Sequence, residues 1–367
     1  MDGATGSAVP ATPGDGGLSE WLAERPVAEC GALAYRAAMR ALPEAALVAR
    51  LGEEGAAYAL MAVRAALTAG AMSAAPSETL TKRAARVAKG SAAARRVHAA
   101  LTREGLPAAE AMVRAISAVE AAAAAEPGAA ADMALHAMLG DEDAIEDFAL
   151  APETLLTAPI DVTVEDGAAE AGGFAEGADW AFWRAWYEAA LEGAPVDWAI
   201  QSEIAALPEE AWQAGPAVVA GRIARILARE DLMQRIRMLS RRMDTDATPD
   251  PAETGAADGA VEPAEGAVAA SFGAIRLLRE PVEVLVSQTQ SPQPQPYLIQ
   301  KAIARLTNVV AASGKWLGRA SEVHDKDMVR AIGKGGGVAT AAWIDTQAEA
   351  IRAVAEAADE WMRRLPA

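Results

Sequence analysis

Apolar residues recur along most of this chain at intervals of three or four positions, which is the period of an α-helix. The first such pattern begins near Leu18, and prolines and glycines separate one periodic stretch from the next. The stretches predict helices over about 20–24, 26–43, 53–71, 78–104 and 107–125. Residues 18–139 are therefore predicted to form one antiparallel, alanine-rich helical domain.

The most distinctive apolar pattern lies in the middle of the chain, where five of the nine tryptophans fall between positions 180 and 212. At about 100° per residue, Trp180, Trp183 and Tyr187 share one helical stripe and Trp186 lies beside it, whereas charged residues occupy the opposite face. Prolines at 195, 208 and 216 predict three further helix starts, and the last of these helices runs to about position 243. Residues 179–243 are therefore predicted to form a Trp-rich helical module.

This aromatic face has more than one interpretation. It can pack as a core against the helices that follow, with Trp198 and Trp212 completing that core. It can also bind a protein partner, because Trp and Tyr are enriched at the residues that dominate protein interfaces. Stacking on a sugar or a base is a third option, although no polar grouping nearby suggests a ligand. The candidate interaction residues of this face are Trp180, Trp183, Trp186 and Tyr187.

Three segments depart from the helical pattern and are rich in Pro, Gly, Ala and acidic residues. Residues 1–17 are predicted to be a disordered tail, 140–178 an acidic linker, and 244–270 a disordered acidic linker. Within the first linker, 159–164 alternates with a period of two and predicts a short strand. Residues 271–367 return to a helical pattern as a C-terminal domain. The predicted fold class is all-α, with several helical bundle modules joined by acidic, Pro/Gly/Ala-rich linkers.

Charge and composition narrow the classes of function. The net charge of −18 and the isoelectric point near 4.7 favour solubility and oppose general binding to nucleic acid. Cys30 is the single cysteine, which excludes an intramolecular disulfide and fits a reducing cytoplasm. The first 17 residues lack the apolar core of a secretory signal, and no uncharged apolar stretch of about 18 residues predicts a membrane span. We therefore expect a cytoplasmic protein.

Two helices carry clusters of basic residues. Between positions 78 and 104, the bases follow a heptad-like spacing typical of one face of a coiled-coil helix, and they include Lys82, Arg86, Lys89, Arg96 and Arg103. The long helix after position 216 is basic as well, and its candidate interaction residues are Arg222, Arg225 and Arg229. These faces can be solvated or docked on the chain's own acidic stretches. They can also bind an acidic partner protein or an anionic membrane surface.

The histidines do not form a recognisable catalytic or metal-binding set. His98, His136 and His324 have no His or Cys at the spacing of a zinc site. His324 and Asp325, followed by Asp345, are similar to the metal-binding pair of HD phosphohydrolases. That pattern also needs an upstream histidine in the same helical domain, and His136 lies two predicted linkers away. No metal site is predicted.

Three other motifs do not match the binding or catalytic sites that they partly resemble. The acidic run 140–147 lacks the central glycine and terminal glutamate of a calcium-binding EF-hand loop, so a solvated helix start explains it. The glycine-rich run 333–337 lacks the strand and the Ser or Thr of a phosphate-binding loop. Cys30 lies on an alanine-rich helix and is typical of a small buried residue. The sequence therefore predicts no catalytic residue and no cofactor.

The string at 179–187, DWAFWRAWY, continues to Leu191-Glu192-Gly193, Trp212 and Gly215-Pro216. It resembles a Trp-rich signature shared by a group of uncharacterised bacterial proteins. In that group the signature is followed by a long helix, a variable linker and a C-terminal helical domain. The resemblance covers about half of the chain. It supports the predicted domain boundaries, and it implies no activity, cofactor or catalytic residue.

These observations favour a non-enzymatic helical protein that acts through protein–protein contacts, as a scaffold, an adaptor or a regulatory subunit. Self-association into a homo-oligomer is compatible with the same pattern. The alternative is an effector that acts at a membrane surface through the Arg-rich helix and the weakly charged segment 331–344. A second alternative is an HD-like hydrolase that uses His324 and nearby acids.

Overall fold

The computed structural model describes residues 18–89, 108–139, 141, 143–162, 177–247, 264–322 and 337–366. Helices and short turns make up this part of the chain, and no strand occurs in it. The predicted all-α fold class is confirmed. The chain divides into two compact units, Met1–Ile223 (unit 1) and Ala224–Ala367 (unit 2).

Unit 1 contains two successive groups of helices. The first group is α1 Leu18–Ala23, α2 Val27–Val48, α3 Glu53–Ala74, α4 Glu78–Lys89, α5 Ala108–Ala122, α6 Pro127–Met138 and the single turn α7 Ala144–Asp147. The second group is α8 Ala181–Leu191, α9 Trp198–Ala205 and α10 Glu209–Gln213. Helix α11, Pro216–Ala247, begins in unit 1, and all of it after Ile223 belongs to unit 2.

Alanine dominates the core of unit 1, where α2, α3, α5 and α6 pack together. Alanine is the best helix former, and its small side chain lets helix axes approach closely. Gly31 marks the closest approach, because a Cβ at this position would lie 2.8 Å from the Cβ of Ala122 and 2.5 Å from the Oγ of Ser73. This core therefore depends on the absence of side-chain atoms at particular positions.

The predicted end of α2 at Pro43 is wrong, because the helix continues to Val48. Proline removes one backbone donor and crowds the carbonyl one turn earlier, so it usually ends or kinks a helix. Here the turn after Pro43 buries Ala45, Ala46 and Val48. The burial of these residues continues the helix in spite of the proline.

Helix α3 is the one helix among the described residues that is long and apolar enough to cross a membrane by length and composition. In the structure, 83% of its most apolar window is buried. Tyr58, Val63, Leu67 and Met72 all point into the unit. The apolar character of α3 therefore accords with its place at the centre of a helical core.

The second half of unit 1 corrects two predictions about 140–178. No strand forms at Pro159–Val162, which is irregular in the structure. The described part of this segment is also packed rather than loose, because Phe148, Leu155 and Ile160 are each less than 5% exposed. The acidic composition of the segment was misleading, since two of its aspartates are partners of buried arginines, as shown below.

Unit 2 consists of the rest of α11 together with α12 Ala264–Gln290, α13 Pro296–Glu322, α14 Gly337–Thr346 and α15 Ala348–Arg363. Branched aliphatic residues fill its core, and the main ones are Leu232, Ile236, Leu239, Ile275, Leu278, Leu285, Ile299, Leu306, Ile351 and Val354. Trp361 closes this core on α15 and is 2% exposed. Helix α12 begins at Ala264, so the predicted linker 244–270 is helical at both of its ends.

Candidate functional site

The aromatic helix α8 lies in the core of unit 1. Trp180, Trp183, Trp186 and Tyr187 are each at most 6% exposed. The ring of Trp183 makes an edge contact with Trp186 at 5.8 Å between centroids and lies 6.2 Å from the ring of Trp212. The candidate interaction surface at these four residues is therefore corrected to a buried aromatic cluster.

This aromatic cluster does not belong to a separate module. Trp198 on α9 meets the ring of Tyr35 on α2 edge to face, with 5.9 Å between the centroids. A Cβ at Gly70 on α3 would lie 2.7 Å from the indole of Trp198. Trp198 therefore packs on the N-terminal helices, and the predicted boundary between 18–139 and 179–243 falls inside one compact unit.

An ion pair joins α3 to α10 beside the aromatic cluster. The two terminal nitrogens of Arg64 donate to the two carboxylate oxygens of Glu209, at 3.1 and 2.6 Å. The guanidinium of Arg64 also lies 4.9 Å from the ring centroid of Trp212. The hydrogen bonds from Arg64 lower the pKa of Glu209, and the positive charges of Arg64, Arg83 and Arg86 act in the same direction. Sequence analysis missed this pair, because nothing local connects positions 64 and 209.

A cavity of about 200 Å³ lies against this ion pair, and we call it the Arg64 cavity. Its apolar wall comes from α3, α4, α5 and α10 and includes Leu60, Met61, Val87, Met112, Ile116 and Trp212. Its polar residues are Arg64, Glu209, Gln213 and Arg86. The cavity thus combines an apolar lining with a few polar groups, which is the usual composition of a small-molecule site.

A second set of arginines is buried on α2. The Nε of Arg36 donates to Asp147 at 2.5 Å, and Arg40 donates to Asp147 and Asp141 at 2.7 and 3.0 Å. Arg36, Arg40, Asp141 and Asp147 each expose at most 6% of their side chains. We call these four residues the Arg36 cluster.

The Arg36 cluster also holds the irregular backbone that follows α7. Arg36 donates to the carbonyl oxygens of Leu155, Ala158 and Pro159, and Arg40 donates to that of Asp161. Its role is therefore structural, since it pairs carbonyls that no strand or helix would satisfy. The sequence signal for this cluster is a pair of arginines four residues apart on an otherwise apolar helix.

The basic residues predicted on α4 have different surroundings. Lys82 is exposed and pairs with Glu78 one turn earlier on the same helix. Arg86 is exposed at the edge of the Arg64 cavity. Lys89 ends the helix, whereas Arg96 and Arg103 lie outside the described residues. The structure therefore describes only the first part of the predicted basic face.

Several arginines of α11 contact residues of their own helix or of the C-terminal end of the chain. Arg229 donates to its neighbour Glu230, and Arg225 donates to the carbonyl oxygen of Arg364 at 2.9 Å. Arg222 is exposed. Arg235 donates to Asp231 on the same helix. Several of the helix's positive charges are therefore compensated locally.

The structure describes two of the residues that were considered for catalysis. His136 and Asp345 are exposed, and they belong to unit 1 and unit 2 respectively. His98, His324 and Asp325 lie outside the described residues, as does most of the glycine-rich run at 333–337. Within the described residues, no group of three His, Cys, Asp or Glu side chains is placed to hold a metal ion.

Cys30 is buried, and its thiol donates to the carbonyl oxygen of Leu22 at 3.5 Å. Burial raises the pKa of the Cys30 thiol to about 11. The thiolate is the reactive form of cysteine, and this environment disfavours it. The interpretation of Cys30 as a small buried residue therefore agrees with its surroundings.

Unit 2 carries an open groove of about 590 Å³ between α13 and α15, which we call the α13/α15 groove. Leu306, Val310 and Ile351 form its buried floor. Ala311 and Gly314 line it with little side-chain volume, and a Cβ added at Gly314 would meet no atom within 4 Å. An apolar side chain of another molecule therefore has room beside Gly314.

Charged residues flank this groove on both helices. Lys315 lies on the α13 side, and Arg352, Glu356 and Asp359 lie on the α15 side. An apolar floor between charged rims is the arrangement found where helical peptides bind. Sequence periodicity predicted both helices but not the gap between them.

No protein-family model matches this sequence, and it matches neither a curated protein nor a solved structure.

Proposed function

We propose that this chain is a non-enzymatic helical protein that acts through protein–protein contacts, and that the α13/α15 groove receives an amphipathic helix of a partner protein. The observation that carries the proposal is the groove itself, with an apolar floor and charged rims on unit 2. The buried tryptophans make a poor docking surface.

The dimensions of the groove fit a helix. Its lining extends on α13 from Ile303 to Lys315, which is about 18 Å at a rise of 1.5 Å per residue. This length accommodates roughly three turns of a partner helix, with apolar anchors at spacings of three and four residues. The small residues Ala311 and Gly314 leave room for those anchors.

The rim charges define the chemistry of the partner. Glu356 and Asp359 on α15 favour Lys or Arg on the flank of the partner helix that faces them. Lys315 on the opposite side favours an acidic residue. The partner is therefore an amphipathic helix with an apolar stripe, a basic flank and an acidic flank. Such rim charges contribute more to orientation and association rate than to affinity.

A peptide selection tests the proposal on the full chain. A displayed library of 18-residue peptides, patterned as amphipathic helices, is selected against the protein, and the enriched peptide is synthesised for calorimetry. We expect Ala311→Trp, which fills the groove, to weaken binding at least about tenfold. Ala312→Trp changes the next residue, which is exposed and outside the groove, and we expect it to leave binding unchanged.

Two results would overturn the proposal. One is an enriched peptide that binds the Ala311→Trp protein as tightly as the unchanged chain. The other is a concentration-dependent dimer in analytical ultracentrifugation that Ala311→Trp dissociates and Ala312→Trp does not, because the groove would then belong to a second copy of this chain. Circular dichroism of both variants verifies that the helices are retained.

A further inference from the structure

We propose that the Arg64 cavity in unit 1 binds a small monocarboxylate with an apolar body of about the size of a benzene ring. The proposal is independent of the groove in unit 2 and of the proposed function, because it rests on residues of unit 1 alone.

The first argument is hydrogen-bonding capacity left over at the cavity. Arg64 is 6% exposed, and its Nε has no hydrogen-bond partner among the described residues, although its two terminal nitrogens pair with Glu209. The indole Nε1 of Trp212 is buried and lacks a partner in the same part of the chain. Buried donors are normally paired, and both of these donors belong to residues that line one cavity, so an acceptor in the cavity gains a donor once the Trp212 indole shifts toward it.

The second argument is the sign of the local charge. Among the described residues that line the cavity, Arg64 and Arg86 are basic, and Glu209 is acidic. Arg83 lies close enough that its charge also lowers the pKa of Glu209. This excess of positive charge stands out in a chain whose net charge is −18. An anion is therefore attracted to this part of the molecule.

The third argument is size and polarity. The cavity volume of about 200 Å³ is below the range of drug-sized pockets. It exceeds the roughly 150 Å³ of an apolar cavity that holds benzene. Most of the wall is apolar, from Leu60, Met61, Met112 and Ile116 among others. The carboxylate of Glu209 in the lining disfavours a doubly charged phosphate. A single carboxylate on a compact apolar body meets all of these conditions.

In the bound state, the apolar body lies against Leu60, Met112 and Trp212. The carboxylate lies between the positive charges of Arg64 and Arg86, and a small rotation of the Trp212 indole lets its N–H donate to the carboxylate. Hydrogen bonds to a charged acceptor are the stronger kind. The existing pair of Arg64 with Glu209 keeps the guanidinium in place before the ligand arrives, which reduces the entropy lost on binding.

Benzoate and benzamide are the probes, because they share shape and differ in charge. Each is titrated into the full chain by calorimetry, and the indole N–H signal of Trp212 is followed by nuclear magnetic resonance after assignment with Trp212→Phe. We expect benzoate to bind at least about tenfold more tightly than benzamide and to shift the Trp212 signal. Higher salt weakens the binding of benzoate and leaves that of benzamide unchanged.

Matched variants identify the site. Arg86→Gln removes the exposed charge at the cavity edge, and we expect benzoate to bind about fivefold more weakly. Lys82→Gln removes the same charge from the same helix outside the cavity, and we expect binding to stay within about twofold of the unchanged chain. Ala57→Phe places a ring from an exposed position of the lining into the cavity, and we expect it to abolish binding.

The proposal is overturned if benzoate and benzamide bind equally, since the charge argument would then be wrong. It is also overturned if no heat of binding and no shift of the Trp212 signal appear up to about 10 mM benzoate. This concentration is about ten times a dissociation constant of 1 mM, which already corresponds to weak binding. Binding that survives Ala57→Phe would place the ligand elsewhere and would overturn the assignment of this cavity.

Discussion

The two units of this protein build a helical core in opposite ways. Unit 1 packs alanines at short interhelical distances, as at Gly31 and Gly70, where a single added carbon would overlap a neighbour. Unit 2 packs leucine, isoleucine and valine around Trp361. Each alanine buries little area, so the larger buried side chains of unit 1, such as Leu33, Met39 and Leu67, contribute more to its burial per residue. A high fraction of apolar residues in a sequence is therefore compatible with two kinds of helix packing, one rich in alanine and one rich in branched aliphatic residues.

The ion pairs of the two units differ in their exposure to solvent. In unit 1, Arg36 and Asp147 each expose 3% of their side chains. In unit 2, Arg305 exposes 43% and its partner Glu280 exposes 69%. Buried pairs are costly to break because the remaining charge loses its partner, whereas exposed pairs contribute little. Unit 1 therefore combines an alanine-rich apolar core with buried ion pairs, whereas this pair of unit 2 is exposed.

The largest expected effect is the loss of stability when a buried ion pair, rather than an exposed one, is broken. Arg36→Ala leaves Asp147 and three backbone carbonyls without their donor, and we expect the free energy of unfolding to fall by about 3–5 kcal/mol. Urea denaturation followed by tryptophan fluorescence measures it, because six of the nine tryptophans lie in unit 1. Arg305→Ala is the control in unit 2, with an expected loss of about 0–1 kcal/mol. Equal losses would refute the contrast.

The next effect tests the apolar core of unit 2. Leu278 is fully buried, and Leu278→Ala should cost about 2–5 kcal/mol through lost burial and the cavity left behind. The matched change in unit 1 is Ala66→Gly, also fully buried, with an expected cost of about 0.5–1 kcal/mol from helix propensity. Hydrogen exchange resolved by peptide assigns each loss to its unit. A larger loss of stability for Ala66→Gly than for Leu278→Ala would mean that the core of unit 1 tolerates the removal of side-chain atoms less well than the core of unit 2.

A smaller effect tests the close approach of helices in unit 1. Gly70→Ala places a Cβ 2.7 Å from the indole of Trp198, and such overpacking should cost about 1–3 kcal/mol. Gly221→Ala is the control on a helix, because a Cβ there meets no atom within 4 Å. We expect that control to raise stability by about 0.4–1 kcal/mol. Thermal unfolding of both variants decides whether α3 and α9 really tolerate no additional carbon.

The smallest effect concerns pH and the Arg64–Glu209 pair. Arg64 lowers the pKa of Glu209 below its ordinary value of 4.5, so the folded state holds the proton less tightly than the unfolded state. The stability from this pair is present above pH 4.5 and is lost as the pH falls through the lowered pKa. Urea denaturation from pH 6 to pH 3 should show a shallower loss for Glu209→Gln than for the unchanged chain. Glu210→Gln, at the exposed neighbouring position, should leave the slope unchanged.

Helix positions were largely predictable because they depend on local rules. The prolines at 208 and 216 and the N-cap at Asp197 each precede an observed helix. The prediction failed at Pro43, where tertiary burial overrides a local signal. It also failed at 159–162, the described part of the predicted strand, which is irregular. The acidic linker was misjudged for a related reason, because composition does not show which acids have a buried partner.

Candidate sites were less predictable than helices. The tryptophans were prominent in the sequence, yet the structure buries them. Sequence analysis singled out Arg86 and Trp212, which line the Arg64 cavity, but it did not connect them with each other or with Arg64. Arg64 and Glu209 are separated by 145 positions, and Gly314 is an ordinary glycine in an amphipathic helix. Each site is formed by the gap between helices that are distant along the chain, and no local pattern predicts such a gap.

The sequence by itself determined the all-α class, several helix starts in unit 1 and the amphipathic character of α8, because capping, helix propensity and periodicity act over a few residues. The tertiary structure alone decided which faces meet. It placed Trp198 against α2 and α3, paired Arg36 and Arg40 with aspartates about a hundred positions away, and left the α13/α15 groove and the Arg64 cavity open. The physical reason is that packing and buried charge pairs depend on partners distant in sequence, and no local pattern encodes them.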